Sequence, residues 1–225
     1  MPHPLLAYPE QERVSYLSII AELSYVDGNF DDQEKNHLDE QLETFQISSE
    51  GRAKVYASVF YLKEEQRDET LRSLHALDNS DLRFTLIGDL FIMALSNGHI
   101  SNDEFEYVAK IGIQLGIEKN QITAIKDVES HLWELKSTPS DSDSYREMVK
   151  ECAASLTAAG VPIAAIAASG SVFGLSAAGI TSGLAALGAL VGGGMLAGTV
   201  FVVPTLAIGS AIGIKKLVNL VTNKE

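Results

Sequence analysis

Between Cys152 and Ile214 the chain carries no charged residue. So long an uncharged run must be buried, in a bilayer or against other protein, because its apolar side chains are driven out of water. The run is rich in Ala and Gly, and its most apolar window, Leu184 to Val203, has twenty residues. That is the length at which a helix crosses roughly 30 Å of hydrocarbon. A second, milder window covers about Ala158 to Ala178. Glycines recur at four-residue spacing as Gly170/Gly174, Gly179/Gly183, Gly188/Gly192, Gly194/Gly198 and Gly209/Gly213. In lipid, small residues one turn apart let helix backbones approach closely; in water each glycine costs a helix about 0.8–1 kcal/mol relative to Ala. With Lys150 on one flank and Lys215 and Lys216 on the other, the positive-inside rule puts both flanks in the cytoplasm. The expectation is a membrane-inserted Gly/Ala-rich helical hairpin, turning near Gly179 to Gly183 and open to homo-oligomer contacts through its small-xxx-small faces. Two other arrangements bury the same run: a soluble helical pair packed on the rest of a cytoplasmic chain, or a stored segment that inserts when triggered.

The remainder has the opposite character. Residues 1–150 hold 28 of the 30 acids and 14 of the 17 bases, a net charge of −14. Such a surface repels nucleic acid phosphates and favours cations or protein partners with basic surfaces, so nucleic acid is excluded as a ligand. The single cysteine, Cys152, has no intrachain partner, so no disulfide frames the fold. The opening MPHPLLAYPEQE has no basic segment followed by an apolar one, and no secretory signal is expected. The stretch STPSDSDS, 137 to 144, reads as a solvated linker before a helix candidate, YREMVKECAASL. The expected organisation is an acidic domain over 1–136, a linker and the start of a connecting helix over 137–150, and the apolar segment over 151–225.

Residues 10 to 136 show helical periodicity and almost no alternation of the strand kind. Apolar residues recur at i, i+3 and i+4 in seven stretches: Val14 to Ala21, Leu38 to Phe45, Val55 to Leu62, Leu71 to Leu77, Leu82 to Met93, Phe105 to Leu115 and Ile122 to Leu135. An all-α domain follows, its first helix starting near Glu10 after the prolines at 2, 4 and 9. At an offset of seventy residues the domain repeats weakly. VDGNFDDQE, 26 to 34, aligns with SNGHISNDE, 96 to 104, matching Gly28 with Gly98, Phe30 with Ile100, Asp31 with Ser101 and Glu34 with Glu104. Two helical hairpins sharing one core are implied.

The two acidic turns are the candidate sites. A calcium loop of the EF-hand kind fails, since counting from Asp27 puts Asp32 where Gly is needed and Leu38 where a bidentate Glu is needed. Helix-turn chemistry accounts for more. Gly28 and Gly98 suit a left-handed helix end, Asp31 and Ser101 suit N-caps, and Glu34 and Glu104 stand three residues on, as a capping box requires. Phe30 and Ile100 precede the caps, where a hydrophobic staple forms.

AELSYVDGNFDDQEKNHLDEQLETFQI and DLFIMALSNGHISNDEFEYVAKIGIQLGI resemble the two halves of the TerB-like tellurite-resistance domain, whose halves each repeat an apolar-DG-x-x-x-x-x-E pattern. The resemblance covers about residues 10 to 135. It implies a seven-helix bundle, no known catalysis, divalent-cation binding through the acidic turns, and membrane-associated stress or defence complexes in bacteria. Carried over by position, the metal ligands would be Asp27, Asp31 and Glu34 in the first half and Glu104 in the second, with Asp103 beside it. This chain departs from the pattern at Asn97 and Ser101, which replace carboxylates. Calcium or magnesium affinity follows ligand charge and number, so the second half-site is the weaker. His99 suits a softer metal, although a lone turn histidine is ordinarily only solvated.

No phosphate loop, nucleophile elbow, paired cysteines or zinc-type histidine spacing occurs, and VGGGMLAG lies in the uncharged run with no lysine to bind a phosphate. No enzyme is indicated. The expected role is a membrane-anchored, non-catalytic sensor or docking protein of a bacterial stress-response or phage-defence system. It would sit at the inner membrane with the acidic domain and the C-terminus in the cytoplasm. A membrane-disrupting effector restrained by its acidic domain, and a soluble helical interaction protein, are the alternatives.

Overall fold

The computed structural model of the chain describes residues 4–76, 80–135 and 143–169. These residues are all-helical, with no strand among them. The seven apolar stretches become α1 (Glu10–Leu23), α2 (Asp32–Thr44), α3 (Ser49–Phe60), α4 (Glu64–Ala76), α5 (Ser80–Ala94), α6 (Asn102–Gln114) and α7 (Lys119–Glu134). Pro9 stands just before α1, where its missing N–H costs nothing.

The repeat is structural as well as sequential. Adding seventy to α2 and to the start of α3 gives α6 and the start of α7 (Asp32 to Asn102, Thr44 to Gln114, Ser49 to Lys119). Even the turn that follows repeats. Gln46 and Gly116 both adopt positive φ, 52° and 74°, and Ile47 and Ile117 send their N–H back to Leu42 and Gly112 at 3.0 and 2.9 Å. Two three-helix units, α1–α2–α3 and α5–α6–α7, are therefore joined by α4.

One core serves both units. The buried helices are α1, through Tyr16, Leu17, Ile19, Ile20 and Leu23, and α5, which is buried almost without interruption from Leu82 to Leu95. A helix apolar on all sides belongs in the centre, and α5 packs against α1, α4, α6 and α7.

Two further helices extend this core beyond residue 150. In α8 (Asp143–Ala158) the residues Tyr145, Val149, Cys152, Ala153 and Leu156 are buried at helical spacing. That stripe rests on α7. Gly160, at φ +73°, ends α8, and the short α9 (Ile163–Ser169) returns against α5, with Val161, Ile163, Ala165 and Ile166 in the main cluster. The change of solvent preference near residue 150 is thus not the edge of the core: the first uncharged residues are apolar because they cover α5 and α7. The milder apolar window, 158–178, opens with the Gly160 turn and α9 rather than with a continuous helix. Among the described residues no helix is long and apolar enough to cross a membrane. The expected hairpin turn, the window Leu184 to Val203 and the glycine pairs from Gly170 on lie outside the described residues, as does most of the expected linker.

Candidate functional site

Both acidic turns form the motifs their sequences imply. Asp31 caps α2: its Oδ1 accepts the N–H of Gln33 at 2.8 Å and of Glu34 at 2.9 Å, while Glu34 Oε2 accepts the Asp31 N–H at 2.9 Å. Ser101 caps α6 in the same reciprocal way. Its hydroxyl accepts the Glu104 N–H at 3.2 Å, and Glu104 Oε2 accepts the Ser101 N–H at 2.7 Å. Gly28 and Gly98 have φ of 84° and 94°, which a side chain would strain. The side chains of Asp27 and Asn97 close the turns by accepting from Asn29 and His99.

The fold brings the two turns beside each other, since α2 packs on the short 3-10 turn Leu95–Asn97 that leads into Gly98. Glu34 and Glu104 are buried at 3% and 2% exposure, whereas Asp27 and His99 are exposed and Asp31 is half-buried. Electrostatics registers the proximity. Burial pushes the Glu34 carboxyl up to about 7, and the charges of Asp31, Asp27 and Glu104 push in the same direction, against the Asp31 N–H that stabilises its anion. Burial also raises Glu104; Asp27 adds to the rise, while the Ser101 hydrogen bonds and His99 oppose it. All four carboxylates named from the sequence, Asp27, Asp31, Glu34 and Glu104, thus share one electrostatic neighbourhood. They are not drawn together into a coordination shell: among the described residues no group of three or more His, Cys, Asp or Glu is placed to hold a metal ion. One oxygen of each buried glutamate is already committed to its capping box. Asp103, beside Glu104, is exposed at the start of α6.

Two buried polar clusters lie elsewhere. Arg67 of α4 pairs with Glu22 of α1, which also accepts the Tyr107 hydroxyl at 2.6 Å. Deeper, Tyr16 donates to Asp89 Oδ2 at 2.7 Å, and Ser169 at the end of α9 reaches Glu129 Oε1 at 3.5 Å. Burial first, and then the Asp89 charge, hold Glu129 well above the ordinary carboxylate range; the Ser169 hydrogen bond opposes them. Burial, with Glu129 and Glu151 behind it, lifts the Cys152 thiol to about 11, so this cysteine is an inert core residue. Asp89 had a sequence signal, a lone acid within LIGDLFIMAL. Glu129 had one too, four residues after Ile125 on the apolar stripe of α7.

The arrangement holds protons and backbone amides at two helix starts. No curated protein and no solved structure matches the chain. The model of one family, described as tellurite resistance protein TerB, matches residues 13–127, from within α1 to within α7 and just over half of the chain. By that match, and by the all-helical bundle that carries it, the chain belongs to the TerB family.

Proposed function

We propose that this chain is a non-catalytic docking module of a bacterial stress-response or defence system, tethered at the inner membrane by its uncharged C-terminal segment. The observation that carries the docking role is an aromatic patch beside the first acidic turn. Of the four large apolar side chains exposed among the described residues, Tyr25 and Phe60, at 40% and 64%, meet there, and Tyr61, at 72%, follows Phe60 directly in the chain. The Phe60 ring meets Tyr25 edge-on at 5.0 Å and Phe30 at 6.2 Å. Clustered exposed aromatics mark interaction sites, and Asp27, Asp31 and Asp32 in the adjoining turn select a partner with a basic surface. A calcium or magnesium ion at Asp27, Asp31, Glu34 and Glu104 would tune that charge. Its binding requires the capping glutamates to turn outward, so affinity is modest.

The membrane tether rests on the sequence from residue 170 onward, with both flanks cytoplasmic. Carbonate-resistant fractionation of the full-length chain tests it: recovery as a detergent-free soluble monomer overturns the anchor. For docking, cells carrying Phe60→Asp/Tyr61→Asp should lose tellurite tolerance at unchanged protein level and unchanged fractionation. Full tolerance would reject the patch.

A second reading, an effector segment restrained by the helical domain, is favoured by the burial of α9 and Ser169 against α5 and Glu129. Under that reading residues 153–214 expressed alone depolarise cells, whereas harmless accumulation argues against it.

A further inference from the structure

A cavity of about 380 Å³ opens between the second acidic turn and the C-terminal half of α7, within the size range of small-ligand sites. Its origin lies in the repeat. At the seventy-residue offset, the lining residues Leu95, Ile100 and Ser130 occupy the places of Tyr25, Phe30 and Phe60. In the first unit the Phe60 ring meets both Tyr25 and Phe30. In the second, a serine stands where that ring would be, and the space is left open.

The chemistry of the walls is specific. Leu95, Ile100, Phe105 and Trp133 supply an apolar and aromatic lining. Lys126 adds a cation: its Nζ lies 5.2 Å from the centroid of the Phe105 ring, and its side chain is 35% exposed. Lys126, Ser130, Trp133 and Glu134 all lie on one stripe of α7, at i, i+4, i+7 and i+8. At 1.5 Å per residue Lys126 and Glu134 are about 12 Å apart along the helix, more than a Debye length of about 8 Å in physiological salt. Ser130 is only about 6 Å from Glu134 along the same helix, so repulsion by Glu134 favours seating an anion toward the lysine end. The nearest carboxylate to Lys126 in an ion pair, Asp127 at 3.6 Å, is itself 52% exposed and hydrated, a weak competitor.

We propose that this cavity binds a ligand made of an apolar, preferably aromatic, body and one carboxylate, with the carboxylate on Lys126 and Ser130 and the body against Trp133, Phe105 and Ile100. Two sources supply that chemistry, a free aromatic acid and the C-terminal residue of a peptide. This site is separate from the aromatic patch and does not depend on the docking proposal.

Trp133 is the only tryptophan of the chain, so its fluorescence reports on this cavity alone. The full-length protein is titrated with 3-phenylpropionate and with an acetylated tetrapeptide ending in phenylalanine, each against its carboxamide. The expected result is a saturable change with the acid forms and at least tenfold weaker binding of the amides. Lys126→Gln should weaken the acids by the same factor, and Ser130→Phe, which restores the ring of the first unit, should abolish binding while circular dichroism stays unchanged. Equal affinity for both acids identifies a free aromatic acid as the ligand; binding of the peptide alone identifies a chain terminus. No saturable change with either acid overturns the proposal, as do amides that bind as well as acids or a Lys126→Gln protein that binds as well as the parent.

Discussion

Glu34→Gln tests whether the paired turns store unfavourable charge. The Glu34 carboxyl is 3% exposed and held at about 7, while in the unfolded chain it titrates near its ordinary 4.5. Below pH 4.5 both states keep the proton and nothing is lost. Between 4.5 and 7 the unfolded state releases its proton first, so stability falls as pH rises, and above 7 the loss is constant. The interval corresponds to about 3 kcal/mol at most, and to less in so far as Asp27 is exposed and screened by solvent. Glutamine keeps an oxygen that accepts the Asp31 N–H, so the capping box survives while the charge is removed. Urea denaturation of both proteins from pH 4.5 to 8 isolates Glu34, because every other acid titrates in both. The two should be equally stable near pH 4.5 and diverge toward pH 7.5, the variant becoming more stable by 1 kcal/mol or more. A calcium or magnesium ion at the proposed turn site would favour the ionised carboxyl, and so would raise stability at pH 7.5 more in the parent than in the variant. A variant no more stable than the parent at pH 7.5, or a Glu34 carboxyl resonance titrating near 4.5, refutes the reasoning.

Other perturbations reach other parts of the fold. Gln46 has φ +52° where its repeat partner is Gly116, so Gln46→Gly should raise stability by about 1 kcal/mol, read as a higher Tm. A Cβ on Gly88 would fall 2.5 Å from Ser169 Oγ. Gly88→Ala should thus loosen α9 and expose Cys152, the sole cysteine, to a thiol reagent that leaves the parent unreacted for much longer. Arg67→Met strands the Glu22 carboxylate beside Tyr107 and should cost about 3 kcal/mol in urea denaturation, partly recovered by adding Glu22→Met.

Much of this was legible in the sequence because it is local. Periodicity located seven helices, and the N-cap, N3 and glycine residues of both turns signalled their own geometry. The proximity of Asp27, Asp31, Glu34 and Glu104 was accessible through the repeat, since two related turns on one core meet. The direction in which Glu34 and Glu104 point was not, and each carboxylate turns back to its own cap. For residues 151–169 it was the medium of burial that the sequence left open, for a different reason. Freedom from charge identifies burial and leaves the burying medium undefined; Cys152, Leu156 and Ile166 satisfy it against protein.

The repeat also explains why one scaffold presents two unlike surfaces. Both units keep the glycine, the cap and the N3 glutamate, because those residues set the turn. The positions that differ are the ones the turn does not need. In the first unit Asp27 and Asp31 preserve charge, and the Phe60 ring meets Tyr25 and Phe30. In the second, Asn97 and Ser101 satisfy the same amides without charge, and Ser130 leaves the groove open. Charge and exposed aromatics go together on one side, uncharged capping residues and a cavity on the other. Two carboxylates fewer at the second turn also means less repulsion of an anionic ligand near Lys126. Neutral capping and an open groove are thus consistent features of one surface, while the acidic, aromatic unit is fitted to a basic partner.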